Sequence, residues 1–213
     1  NNKNTFLDLF TGCGGLSEGF YKQDFKSLSH VEIDNYSCET IRQRLKFYNY
    51  SDIDQNVLEK DINDIDTIEL IKSNINNVDV DVIVGGPPCQ SFSSLGRAKD
   101  KDSMRNDPRN FLFESYKRIL DLIKPKIFVF ENVTGLLSAK LGNQKTINVI
   151  LDKLSENYNL INEPSEMVLN SCDYGVPQIR KRVFLIGLRK DVNYKIENIY
   201  KNIIKTHKVL AMS

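Results

Sequence analysis

The chain has no tryptophan, four cysteines and almost no net charge, 29 Lys+Arg against 28 Asp+Glu leaving +1 over 213 residues. A charge this close to zero excludes a protein that meets polyanions through its overall field, so any nucleic-acid surface must be local. The cysteines, Cys13, Cys38, Cys89 and Cys172, lie far apart. That spacing excludes a zinc knuckle or a redox dithiol and fits a reduced, intracellular setting. No apolar run is long enough to cross a bilayer, and no secretory signal pattern is present. Repeats, low-complexity tracts and linkers are missing too, so the sequence reads as one domain. Its 40% hydrophobic content supplies a sizeable core.

What is present is alternation. Apolar, β-branched runs predict strands at 5–10, 29–33, 58–62, 80–84, 126–133 and 182–188, with one or two more inside 158–169. Helical spacing predicts helices opening near Leu16 and covering 35–47, 66–73, 111–123 and 146–154, with a weaker one at 196–204. Asp34 or Asn35 is placed to cap the second. Strands alternating with helices predict an α/β fold with a doubly wound, mostly parallel sheet. The late strands, lacking helices between them, predict an antiparallel hairpin at the C-terminal edge. Residues 97–109 predict a loop: Arg97, Lys99, Lys101, Arg105 and Arg109 against Asp100, Asp102 and Asp107 give it +2.

Four constellations carry chemistry. In Gly85-Gly86-Pro87-Pro88-Cys89-Gln90-Ser91-Phe92-Ser93, a thiol follows a buried strand on a backbone stiffened by two prolines. Ligands bind beyond the carboxyl ends of strands in open α/β sheets, so Cys89 stands where a nucleophile would. The same run also fits a turn followed by a buried thiol. Thr11-Gly12-Cys13-Gly14-Gly15 forms a glycine turn between a strand and a helix, where backbone can approach a ligand and free N–H groups can face it. Its spacing, with Gly19 next, is not the dinucleotide G-x-G-x-x-G, and on its own the turn is equally well structural. Glu32 ends the second predicted strand and Asp61 the third. An acid after the second strand can hold ribose hydroxyls, and Asp61 can accept from an adenine amine; each alone also fits a cap or a solvated strand end. Glu131 follows the core-like Phe128-Val129-Phe130, facing the same crevice as Cys89. Gln178-Ile179-Arg180-Lys181-Arg182 places two arginines on one side of a strand start, suited to carboxylate or phosphate, or else simply solvated.

Together these segments resemble the C5-cytosine DNA methyltransferase family. The stretch from Phe6 to Phe20, Glu32, Asp61, Gly85 to Ser93, Glu131-Asn132-Val133 and Gln178 to Gly187 stand in the family's order, as does Asp107-Pro108-Arg109-Asn110-Phe111-Leu112-Phe113. The resemblance implies a Rossmann-like fold and S-adenosyl-L-methionine as cofactor. It implies that Phe10, Gly12, Cys13, Gly14, Gly15, Glu32, Asp61, Ile62, Pro88 and Leu112 line the cofactor site. It makes Cys89 the nucleophile and Glu131 the acid, with Asn132 holding the catalytic strand. Arg180 would steady Glu131, and Arg182 would contact the target nucleotide. Residues 97–109 would close as a lid over DNA phosphates. The implied partner is double-stranded DNA, with no metal and no membrane, in a bacterial cytoplasmic restriction–modification system.

Past the strand at 182–188 the family continues into a target-recognition region and a terminal segment. The expectation is a catalytic domain over 1–213 without those parts, to which a recognition subunit or fragment could be complementary. Two other readings remain at this stage. One is tRNA cytosine-C5 methylation, against which Phe92-Ser93 weighs, that branch carrying Phe-Thr. The other is an inactive subunit that only binds cofactor or a partner.

Overall fold

The computed structural model describes residues 3–88, 111–141 and 143–207. These fall into two compact units, residues 3–88 with 111–129, and residues 130–207.

In the first unit the chain runs β1 (Thr5–Leu9), α1 (Gly15–Lys22), β2 (Lys26–Glu32), α2 (Asn35–Phe47), α3 (Ile53–Asn56), β3 (Val57–Glu59), α4 (Ile65–Ile75), β4 (Val82–Gly85) and α5 (Phe111–Ile123), then enters β5 (Ile127–Val133). The strand order is β3-β2-β1-β4-β5. β1 pairs parallel with β2 and β4, and β2 parallel with β3. Every residue of β1 is buried, as a strand covered on both faces must be. Side chains of alternate residues show why. Phe6, Val82 and Val84 pack with Tyr21, Ile41 and Leu45 from α1 and α2. On the other face Tyr116 of α5 meets Phe128 edge-on, ring centroids 6.4 Å apart, and its hydroxyl donates to the Val129 carbonyl at 3.2 Å.

Local chemistry sets the ends of the helices. The Asp34 carboxylate accepts from the Ser37 N–H at 2.8 Å and so caps α2. α4 stops at Asn76 in the left-handed region, and Pro125 follows the end of α5. At the opposite end of the strands the Asp81 carboxylate binds the Thr5 N–H at 2.8 Å and Lys126 Nζ at 2.6 Å, tying together the starts of β1, β4 and β5.

The second unit takes up the end of β5 and adds β6 (Lys140–Leu141), β7 (Gln144–Lys145), α6 (Thr146–Leu154), β8 (Tyr158–Leu160), β9 (Val168–Asn170), β10 (Lys181–Arg189) and α7 (Ile196–Lys201). β10 neighbours β5 and pairs antiparallel with both β8 and β9. The fold class is therefore the α/β one expected, mostly parallel with antiparallel strands near its C-terminal end.

Several boundaries differ from the sequence reading. β2 begins at Lys26 rather than Ser29, because polar Ser27 and Ser29 are fully buried within it. β3 ends at Glu59, so Asp61 lies past the strand rather than at its end. The region 158–169 holds two separate short strands, divided by a 3₁₀ turn at Pro164–Met167. α3 and the β6–β7 hairpin are too short to leave a periodic signal. Cys89 and the charged loop 97–109 lie outside the described residues.

Candidate active site

The glycine turn follows directly from the end of β1. Phe10 has φ 58, Gly12 φ 53 and Gly14 φ 80. A phenylalanine in the left-handed region is costly, roughly 1–3 kcal/mol, and persists only when its surroundings impose it. Three contacts do so. The Gly12 N–H donates to Glu32 Oε2 at 2.8 Å. The Thr11 hydroxyl donates to the Asp8 carbonyl at 2.8 Å. The Gly14 N–H donates to the Thr11 carbonyl at 3.0 Å.

Glu32 is the hinge of this arrangement. Its other oxygen, Oε1, accepts from the Ile33 and Asp34 N–H groups at 2.8 and 2.9 Å. A carboxylate offers about four lone-pair sites, so three backbone bonds leave it able to accept one more donor.

Beside Glu32 opens a cavity of about 300 Å³ lined by Phe10, Val31, Glu32, Ile33, Lys60, Asp61, Ile62, Gly86, Pro88 and Leu112. Its volume is at the small end of the range for organic ligands. Two carboxylates, Glu32 and Asp61, and Lys60 stand among otherwise apolar lining residues. Asp61 is braced by the Asn63 N–H, 2.8 Å from Oδ1. Of the residues expected to line a cofactor, Phe10, Glu32, Asp61, Ile62, Pro88 and Leu112 are brought together here. Gly12, Cys13, Gly14 and Gly15 are not in its wall; Gly12 acts through its bond to Glu32, and Cys13 is exposed. The sequence reading missed Val31, Ile33, Lys60 and Gly86, although Ile33 and Lys60 directly flank the two acids it did identify.

Gly85 has a separate reason to be glycine. A Cβ there would lie 2.6 Å from the Leu9 carbonyl oxygen and 2.9 Å from the Tyr116 ring. The first glycine of the Gly-Gly-Pro-Pro-Cys run thus serves packing, and Gly86 and Pro88 serve the cavity.

A buried polar chain behind the turn was also missed. Ser17 on α1 donates to Asp8 Oδ2. His30 Nδ1 lies 3.4 Å from Ser17 Oγ, and His30 Nε2 lies 2.7 Å from the Tyr21 hydroxyl. Asp8, Ser17 and His30 are all 0% exposed, which excludes a hydrolytic triad open to substrate. Burial pushes the Asp8 carboxyl up to about 7, against the pull of its bond to Ser17, and holds His30 neutral by lowering it to about 3. Asp8 Oδ1 has no hydrogen-bond partner among the described residues. The one visible signal was an acid inside an otherwise apolar strand.

In the second unit, Glu131 on β5 meets Arg182 on β10, Oε1 to Nε 3.1 Å. Burial raises the Glu131 carboxyl above its ordinary value, while Arg182 and then Arg180 pull it back down. Of the two arginines, expected to steady Glu131 (Arg180) and to contact the target nucleotide (Arg182), it is Arg182, at the second position of β10, that makes this ion pair. Arg180 precedes the strand and is exposed, its N–H held by Asn170 Oδ1 at 3.1 Å, and it acts on Glu131 only through its charge. Asn132 is buried, and its Oδ1 accepts from the Val133 N–H at 2.8 Å, which stiffens the strand beside the acid.

The family model for C-5 cytosine-specific DNA methylase matches residues 4–212. The chain belongs to the C-5 cytosine-specific DNA methylase family. It is 38% identical over 251 residues to the Type II methyltransferase M.Bpa9945I of Bacillus paralicheniformis, covering 92% of this chain and 56% of that protein. It is 39% identical over 186 residues to M.DdeI of Desulfomicrobium norvegicum, covering 87% of this chain and 40% of that protein. Among solved structures, a DNA modification methyltransferase encoded within an E. coli prophage superposes with a TM-score of 0.69 at 28% identity, over 91% of this chain and 49% of that one. A variant of Spodoptera frugiperda DNMT2 superposes with a TM-score of 0.63 at 26% identity, over 92% of this chain and 53% of that one. The chain thus spans about half the length of the curated relatives it matches. Among its described residues no helix is long and apolar enough to cross a membrane.

Proposed function

We propose that this chain carries the cofactor site and the catalytic groups of a DNA cytosine-C5 methyltransferase of the restriction–modification type, acting on double-stranded DNA with S-adenosylmethionine as methyl donor. The observation that carries the reading is the cavity lined by Glu32, Asp61 and Pro88, the last being the residue immediately before Cys89. The expected nucleophile is therefore the next residue in sequence after one that lines the cavity.

The residues fit that cofactor. Glu32, with one lone-pair site left, would accept from a ribose hydroxyl, and Asp61 from the adenine amine. Phe10, Ile62, Pro88 and Leu112 would supply apolar walls. When bound, the cofactor supplies an electrophilic methyl group on a positively charged sulfur.

Cytosine C5 is a poor nucleophile because the ring is electron-poor. Addition of the Cys89 thiolate to C6 places the displaced electron pair on the ring and makes C5 nucleophilic. Glu131 bonds N3 and the exocyclic amine and stabilises that charge. Its raised pKa favours the protonated carboxyl able to give a hydrogen bond to N3, while Arg182 fixes its orientation. After C5 is methylated, a base removes its proton, the C6–S bond breaks and the thiolate is regenerated. The base must leave the duplex for this to happen. Arg180, charged and exposed, would contact a DNA phosphate. The loop 97–109, at +2, would close over the DNA backbone.

The test is binding of S-adenosylmethionine by calorimetry, followed by methyl transfer from labelled cofactor to DNA and to tRNA, with and without a recognition part supplied. Transfer to DNA cytosine supports the reading. Transfer to tRNA alone would move it to the RNA branch. Cofactor binding without transfer to either would leave a binding subunit.

A further inference from the structure

The glycine turn opens a helix of only eight residues, α1. So short a helix does not hold itself in water. Its N-cap, Gly14, lies at φ 80, ψ 28 and has no side-chain cap. Something outside α1 must therefore keep its first turn in place, and the Asp8–Ser17 bond does so from beneath. A second brace comes from α2, at a residue the mechanism does not use.

Arg44 crosses the opening turn of α1 from Gly14 to Glu18. Its Cδ and Nε would lie 3.4 and 3.8 Å from a Cβ on Gly14, with Ile41 Cγ1 also 3.8 Å away. Its Nη1 binds Glu18 Oε2 at 2.5 Å. The other Glu18 oxygen accepts from the Tyr48 hydroxyl at 2.8 Å. Gly14 and Glu18 are also the two ends of the first helical hydrogen bond, Glu18 N–H to Gly14 carbonyl, 3.1 Å. One side chain thus occupies the space beside the left-handed residue and grips the helix one turn later. Arg44 Nε is buried with no hydrogen-bond partner among the described residues, a cost not needed for packing alone.

We propose that Arg44 is a positioning residue for the cofactor turn. With Glu18 and Tyr48 it clamps Gly14 in its left-handed conformation, and so keeps the Gly12 N–H on Glu32 and the Phe10 ring in the cavity wall. This rests on the cavity being the cofactor site. It makes affinity for the cofactor depend on a side chain that is not in the cavity wall.

The experiment measures S-adenosylhomocysteine affinity by calorimetry and, without ligand, amide hydrogen exchange of residues 12–17. The proteins are wild type, Arg44→Ala, Arg44→Lys, Tyr48→Phe and Arg42→Ala. Arg42→Ala is the control, since Arg42 sits on the same helix and contacts Glu39, Asp54 and Glu59, away from the turn. Arg44→Ala should lose about ten-fold in affinity, the scale of one hydrogen bond to a charged group, and its turn amides should exchange faster. Arg44→Lys, which can still reach Glu18, should recover most of the loss, and Tyr48→Phe should show a smaller loss in the same direction. Arg42→Ala should stay within about two-fold of wild type. Wild-type affinity and exchange in Arg44→Ala would overturn the proposal, as would an equal loss in Arg42→Ala. A wild-type chain that does not bind S-adenosylhomocysteine would contradict the cofactor reading instead, and the exchange rates would still decide the clamp.

Discussion

Replacing Asp8 by Asn should remove a pH-dependent loss of stability that the wild-type fold carries. Asp8 is 0% exposed, with one oxygen bound by Ser17 and the other without a partner among the described residues. Burial raises its carboxyl from 3.8 to about 7. Between those values the folded chain holds a proton that the unfolded chain has released. Stability therefore falls as pH rises through this window, by about 1.4 kcal/mol per pH unit, and levels off above the folded value. From pH 5 to pH 7 the loss attributable to this one group is roughly 2–3 kcal/mol. An asparagine cannot ionise. Its oxygen can still accept from Ser17, while its amide leaves a buried donor that costs about 1–3 kcal/mol at every pH. The diagnostic quantity is therefore the slope and not the offset. Urea unfolding of both proteins at pH 5, 6, 7 and 8 should give a stability difference, variant minus wild type, that climbs by roughly 2–3 kcal/mol between pH 5 and 7 and is flat beyond. Parallel stability profiles across the range would show that Asp8 keeps an ordinary pKa and refute the reasoning.

Four further outcomes are expected. Cys89→Ser should abolish methyl transfer while leaving S-adenosylmethionine affinity nearly intact, measured by label transfer and calorimetry, because a hydroxyl is a far weaker nucleophile than a thiolate. Glu32→Ala should weaken cofactor binding by roughly 1.5–3 kcal/mol, and Glu32→Gln should not restore it, since its amide must face one of the N–H groups now held by Gly12, Ile33 or Asp34; calorimetry reads both. Arg182→Leu should raise the Glu131 pKa further, because burial then acts with only Arg180 opposing it, and carbon-detected NMR of the Glu131 carboxyl would follow the shift. Gly85→Ala should destabilise the fold by about 1–3 kcal/mol through overpacking against the Leu9 carbonyl and the Tyr116 ring, seen as a lower urea midpoint.

Much of this candidate site was legible in the sequence because its parts lie at or just past strand ends, where turn chemistry and strand periodicity both leave marks. The glycine turn, Glu32, Asp61 and the Pro-Pro-Cys run announce themselves in this way, and the cavity does gather Glu32, Asp61 and Pro88. Less legible was anything that depends on register between strands distant in sequence. Arg180 and Arg182 are equivalent in the sequence pattern, and only the pairing of β10 with its neighbours decides which reaches Glu131. The Asp8 chain was hidden for a related reason. Its members lie on β1, α1 and β2 and meet only when β1 and β2 pair with Asp8 opposite His30. Arg44 reads as one more charge on an amphipathic helix until α2 is laid against the turn of α1. The early start of β2 was obscured by Lys26 and Ser27, the second of which is buried and finds a partner for its hydroxyl in Asn56.

The central claim is that Cys89 attacks C6 of a cytosine presented beside the cofactor cavity. A short oligonucleotide carrying 5-fluorocytosine at a mismatch tests it most directly, because a mispaired base costs least to flip and fluorine at C5 leaves no proton to remove. The thiolate should then add, C5 should take the methyl group, and elimination should stall. Incubation with labelled S-adenosylmethionine should give a covalent protein–DNA species that carries the label, maps to Cys89 by peptide mass spectrometry and is absent from Cys89→Ser. A protein that binds the cofactor yet forms no adduct, or forms it at another residue, would contradict the account.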